Sequence, residues 1–162
     1  MKQQENYGID LVYFGANLLV ETIKKIGEGT APREKQGDNF SLAPMLDKKM
    51  AKIDFEKEIN EIKNKVCGLN PIMGAYAMYK GKKIKFWKVE IVENNRINEL
   101  VEKNIEEFEN GEILIANDKQ GLFVKAKGGV LKVLEVQREN SKRMNSCDFL
   151  RGNKISVKEK FE

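Results

Sequence analysis

The residues best suited to chemistry lie in one short stretch, Lys82-Lys83-Ile84-Lys85-Phe86-Trp87-Lys88. On a β-strand successive side chains alternate between faces, so at least two of the lysines Lys82, Lys83, Lys85 and Lys88 must project from one side. Ammonium groups in a row, with aromatic rings beside them, suit the phosphates and bases of a nucleic acid. Two smaller basic groups could join them, Lys48-Lys49 with Lys52, and Lys142-Arg143. Each has a plainer reading: an edge strand guarded by lysines, a solvated linker, a solvated turn. Trp87 could stack on a base or fill a core.

Charge is unevenly placed. Residues 48–92 carry 11 basic against 5 acidic side chains, residues 1–47 carry 5 against 7, and residues 93–162 carry 13 of each. The whole positive excess therefore sits in the stretch that holds the basic strand, as expected of a polyanion binder. Acid–base catalysis has little to work with. The chain has no histidine, and Cys67 and Cys147 stand far apart in no metal-ligand spacing, which argues against a zinc site. Apolar residues make up 41% and charged residues 33%, a globular composition. No apolar run approaches the roughly 20 residues of a membrane span, and the polar start Met1-Lys2-Gln3-Gln4-Glu5-Asn6 does not read as a secretory signal. A reducing cytoplasm, with both cysteines as thiols and not in a disulfide, is the expected setting.

Several elements must position these groups. Leu11, Val12, Leu19, Ile23 and Ile26 recur at helical spacing, predicting a helix over 10–26 with Gly27 and Gly29 as its stop. Residues 30–53 read as a linker, with Pro32, Gly37 and Pro44 and a short 42–46 segment. Asp54 is placed to cap a helix from Phe55 to about Val66, with Phe55, Ile59, Ile62 and Val66 on one face. Gly68 ends it and Pro71 prevents its resumption. From Ala75 the period falls towards two. Strands are predicted at 75–79, 83–92, 112–116, 122–126, 130–137 and 154–157, with a short helix at 146–150. Turn chemistry stands at Lys80-Gly81-Lys82, Asp118 to Gly121 and Gly128-Gly129. Within 83–92, Ile84 and Phe86 share one face and Trp87, Val89 and Ile91 the other, so the phase flips near Phe86-Trp87 through a bulge or burial on both sides. Residues 93–110 read as a short helix through Ile97, Val101, Ile105 and Phe108, with a long loop as the alternative. The fold class is mainly β with flanking helices, a small OB-like open barrel preceded by a linker and an N-terminal helix.

The order of these motifs resembles the C-terminal portion of methionyl-tRNA formyltransferases. The resemblance runs through Gly15-Ala16-Asn17-Leu18-Leu19 and Glu21-Thr22-Ile23, then Gln36 and Ser41-Leu42-Ala43-Pro44 with Leu46. It continues through Lys48, Ile53-Asp54-Phe55, Leu69-Asn70-Pro71, Gly74-Ala75, Gly81 to Trp87, Lys142-Arg143-Met144 and Asp148 to Gly152. It implies that 1–29 is the last helix of an α/β formyl-transfer domain, 30–53 the linker, and 54–162 an OB-like domain that binds transfer RNA. The implied partner is initiator methionyl-tRNA, without a membrane. The implied contacts are Lys48, Lys49, Lys52, Lys82, Lys83, Lys85, Lys88, Lys142 and Arg143, while Asn70, Pro71 and Gly74 form a structural signature.

The family's catalytic Asn, His and Asp motifs are not found in this chain. The resemblance therefore implies no catalysis by this stretch alone, and no cofactor here, because 10-formyltetrahydrofolate would bind the N-terminal domain. The sequence departs from the family at Ile72, where an aromatic is common, and at Lys49 and Met50, where acidic residues are common. It also departs in the longer acidic stretch 93–110 and at Asn110-Gly111, where Pro-Gly often stands. A monomer is expected, with self-association through the apolar face of helix 10–26 as the alternative. Two other functions stay open: the same module from a formyltransferase acting on a nucleotide sugar, and a non-catalytic truncated product.

Overall fold

The structure is a computed structural model that describes every residue except Met1, Glu99, Glu102 and Lys103; of residues 2–9, 94 and 95 it describes the backbone only. The chain divides into two compact units, Met1–Pro44 and Met45–Glu162.

The first unit is helix α1 (Lys2–Gly27) and the extended segment after it. The helix starts eight residues before the apolar period does. Lys2, Gln3, Gln4 and Glu5 are good helix formers, but polar residues leave no period to read. An i,i+4 pair, Lys25 with Glu21 at 2.7 Å, supports the last turns. The helix closes as the glycines predict: Gly29 takes φ +71°, and the Thr30 N–H reaches back to the Lys25 carbonyl, a left-handed stop that glycine makes without strain. Leu11, Phe14, Leu19, Ile23 and Ile26 are all exposed.

The second unit is an antiparallel sheet with helices against it. Strands β1 (Ala75–Tyr79), β2 (Lys82–Val92), β3 (Ile113–Asn117), β4 (Gly121–Ala126) and β5 (Gly129–Arg138) lie in the order β1-β2-β5-β4-β3, and the short β6 (Met144–Asn145) pairs with β5. Two-residue turns join β1 to β2 and β4 to β5, and three residues, 118–120, join β3 to β4. Lys80 and Gly81 both have positive φ, 49° and 74°, which matches the right-handed twist of the flanking strands. The sheet does not close strand to strand. The C-terminal tail bridges the gap instead: Ile113 donates to the Glu159 carbonyl at one edge, and Met78 and Glu162 exchange backbone hydrogen bonds at the other. Phe161 of the tail is buried in the main core with Phe55, Tyr79 and Phe86 around its ring.

Helix α2 (Ile59–Gly68) packs on β2 through Ile59, Ile62 and Val66. It begins four residues later than Asp54 suggests. The Asp54 carboxylate accepts from the Glu56 N–H, a local turn that competes with a helix start, and Phe55 reaches the core from that turn. Among the described residues of 93–110 there are two short pieces and not one helix, α3 (Asn94–Asn98) and a 3-10 turn at Ile105–Glu107. Ile97 and Ile105 anchor it in a second core cluster with Leu114, Phe123 and Val130. Helix α4 (Ser146–Gly152) is capped by the Asn145 side chain. No strand forms at 154–157, because the edge of β3 is taken by the tail around Lys158 and Glu159.

The phase flip in β2 is real but works differently from the sequence expectation. Ile84 pairs with Arg138 and Phe86 with Val136, the ladder skips Trp87 and Leu134, and Val89 then pairs with Val133. Both strands carry one extra residue at the same level, so the overall register is restored. Val89 therefore shares the main core with Ile84 and Phe86, and Ile91 packs against it. Trp87 and Lys88 point together to the outer side.

Candidate nucleic-acid interface

The outer side of β2 carries Lys83 and Lys85, alternating with the buried Ile84 and Phe86. Both lysines are braced on rings. Lys83 Nζ lies 4.6 Å from the centre of the Tyr76 ring, diagonally across on β1, where Tyr76 pairs with Lys85, and Lys85 Nζ lies 5.3 Å from that of Trp87. Such cation–π contacts are worth about 0.5–1 kcal/mol at a surface and hold a long side chain in place without cancelling its charge. Lys85 also donates to the Met73 carbonyl at 2.9 Å.

Trp87 is the hub. Only 8% exposed, it lies outside the main core, beneath the basic side chains. Its Nε1–H donates to Gln137 at 2.9 Å, and Gln137 in turn donates to the Ser141 carbonyl at 2.8 Å. That relay ties the loop after β5 over the strand. Arg143 follows from this loop, with its guanidinium carbon 5.0 Å from the Trp87 ring centre and Nε paired to Glu135. On the opposite flank the Asn70 side chain donates to the Trp87 carbonyl at 3.0 Å, and Gly74 touches the indole. The Asn70-Pro71 peptide is cis. The turn and the basic strand, adjacent in sequence, are thus packed on each other. As it stands the indole is covered and offers no open face to a base.

The remaining residues fall into three places. Lys48 and Lys49 are exposed in a 3-10 turn capped by Asp47, and Lys52 ends it. Lys52 bridges to Tyr76, and the Ile53 N–H donates to the Tyr76 carbonyl at 2.7 Å, so this segment flanks the β1 edge beside the ring that carries Lys83. Lys88 is exposed within the bulge, across from Glu135. Lys142 is exposed in the loop that brings in Arg143. Lys82 stands apart, since its even position turns it to the other side of β2 from Lys83 and Lys85. Two carboxylates pair with cations of the outer face: Glu135 with Arg143, and Glu139 at 4.0 Å from Lys83.

At the hairpin tip, Lys80 pairs with Glu159 at 2.7 Å, and the Tyr79 hydroxyl donates to the same carboxylate. The hydrogen bond with Lys80, then that from Tyr79, holds the Glu159 carboxyl below its ordinary range, and Glu159 raises Lys80 in return. Among the described residues no helix is long and apolar enough to cross a membrane.

The family described as formyl transferase, C-terminal domain, matches residues 45–154. Among curated proteins, the methionyl-tRNA formyltransferase of Halothermothrix orenii is 35% identical over 151 residues, 93% of this chain and 46% of its own length. That of Clostridium tetani is 39% identical over 146 residues, 90% and 44% respectively. That of Syntrophus aciditrophicus is 37% identical over 158 residues, 95% and 47%. The chain thus spans about half the length of these relatives. Among solved structures, a variant of HypX from Aquifex aeolicus matches at a TM-score of 0.51 with 17% identity, covering 85% of this chain and 24% of that one, a likeness of fold alone.

Proposed function

Because this chain belongs to the formyl transferase C-terminal domain family, we propose that it is the transfer-RNA-holding part of a methionyl-tRNA formyltransferase. In the whole protein, a formyl group passes from 10-formyltetrahydrofolate to the amino group of initiator methionyl-tRNA. The part of the relatives that this chain does not match would hold the folate and carry out the transfer. This part supplies position, working as a monomer in the cytoplasm.

The observation that carries the reading is the braced basic face. Lys83 and Lys85 are fixed by Tyr76 and Trp87 beside an exposed Lys48-Lys49-Lys52 turn. Fixed cations on a concave or flat sheet face suit a phosphate backbone and carry no sequence information of their own. All three relatives described above are methionyl-tRNA formyltransferases, so a module serving a nucleotide sugar is not favoured.

The test is binding of a labelled initiator transfer-RNA transcript to the 162-residue chain across a salt series. Saturable binding is expected at low salt, weakening steeply as salt rises. Absence of binding at low salt overturns the proposal.

A further inference from the structure

We propose that a second pocket, on the other side of β2 from Lys83 and Lys85, binds a phosphate ester, with the phosphate on its basic rim and the attached sugar on its apolar floor. The proposal goes beyond transfer-RNA docking and does not depend on it.

The pocket is a cavity of about 260 Å³ between the tip of the β1–β2 hairpin, the end of β5 and the segment after α4. Its floor is apolar, made by Ile84, Phe149 and Ile155, each no more than 8% exposed. Its rim carries Lys80, which is paired with Glu159, together with Lys82, Arg138 and Lys154, and no carboxylate lines the cavity itself. Among the described residues no carboxylate forms an ion pair with any of the last three. On the outer face, by contrast, Lys83 and Arg143 each meet a glutamate. Three of the four rim cations are therefore left without a carboxylate partner among the described residues.

Arg138 is also held in place. Its NH1 group donates to Asn153 Oδ1 at 3.2 Å, and Asn153 Nδ2 donates to the Phe149 carbonyl at 2.9 Å. A guanidinium can only donate and a carbonyl can only accept, so the amide has one orientation open to it. Among the described residues the remaining guanidinium N–H groups have no carboxylate partner, and the planar fork matches two phosphate oxygens. The size sets the ligand. Small-molecule sites run from roughly 300 Å³ upward, so this cavity takes a phosphate and one sugar and not a whole dinucleotide. A competing role for the cations is to balance the carbonyl end of α4, which would need no ligand.

The experiment is an amide and arginine side-chain NMR titration of the 162-residue chain with inorganic phosphate, and separately with ribose 5-phosphate. Saturable shifts are expected at residues 82–84, 138 and 149–155, with ribose 5-phosphate binding about tenfold tighter than phosphate because of the floor. Lys82→Gln and Lys154→Gln together should weaken binding of both by about tenfold or more while leaving the melting temperature in place. Lys85→Ala should leave it unchanged. Shifts that fail to saturate, or that persist in the double variant, overturn the site. A double variant that loses stability and keeps the shifts assigns the cations to the helix end and overturns it too. Equal affinity for the two ligands overturns the role of the floor. Because the titration uses no transfer RNA, its failure leaves the docking face untouched, and failure of transfer-RNA binding leaves this site standing.

Discussion

Gly74 lies flat against the indole of Trp87: a Cβ built on Gly74 would stand 2.9 Å from Trp87 Cη2. Gly74 also takes φ +71°. Two independent constraints thus demand glycine at the point where the Asn-Pro turn meets the basic strand. Gly74→Ala should cost roughly 2–4 kcal/mol, combining left-handed backbone strain with overpacking. In a Trp87→Leu background only the backbone part should remain. Urea midpoints of the four proteins check this, and equal costs in both backgrounds would remove the steric argument.

Lys83→Ala with Lys85→Ala should weaken transfer-RNA binding and lower the slope of log K against log salt by about 1 for each phosphate the variant no longer neutralises. The fold should be little affected, since the two side chains contribute surface cation–π contacts, the Lys85 hydrogen bond to the Met73 carbonyl and the long Lys83–Glu139 pair, none of them in the core. The same pair of measurements on Lys48→Ala and Lys49→Ala tells whether the flanking turn belongs to the same footprint. A slope unchanged by all four substitutions would place the interface elsewhere.

Both core clusters are drawn from residues 51–161. Deleting residues 1–40 should therefore leave the melting temperature nearly in place. A fall of more than about 5 °C, roughly 1 kcal/mol for a domain of this size, would show that α1 belongs to the barrel's stability. Sedimentation of the full and shortened chains in parallel reports whether the exposed apolar residues of α1 drive self-association.

Phe161 sits second from the end of the chain yet is 3% exposed. Phe161→Ala should cost about 3–5 kcal/mol, as an interior phenylalanine does. A cost below about 1 kcal/mol would mean that the tail is not part of the closed core.

The Glu159 carboxyl is held below its ordinary range by Lys80 and Tyr79. A depressed carboxyl stabilises the fold above the ordinary carboxylate range, and that contribution is lost as pH falls through the lowered value. The stability gap between the natural protein and Glu159→Gln should thus be constant near neutrality and shrink below about pH 4.3, the ordinary glutamate value. Lys80 is raised, so its share is lost only as pH climbs past the ordinary lysine range. Urea unfolding from pH 3 to 7 reads the first effect, and a gap that stays constant to pH 3 would contradict it.

Much of the fold is legible in the sequence because it rests on local chemistry. Alternation and the glycine turns on either side place β1 at 75–79, and the strand lies at Ala75–Tyr79. Phe55, Ile59, Ile62 and Val66 read as one buried face and are all buried, although Asp54 draws the first turn out of the helix. Less legible are features whose cause is distant. The sequence suggests a bulge at Trp87, and that bulge turns Val89 to the core, but the matching irregularity at Leu134 that restores the register with β5 is not read from it. Arg143 reads simply as a basic residue, and its place over Trp87 depends on the Gln137–Ser141 relay.

By itself the sequence determined the strand and turn chemistry, the basic stretch, and through motif order the family, because each depends on neighbours along the chain. Tertiary structure alone decided which lysines share a face and that Trp87 is covered. It decided too that the sheet's edges are bridged by the tail, and that Lys82, Arg138 and Lys154 converge on one cavity. Those relations join residues far apart in sequence, and register and packing set them, which no local pattern records.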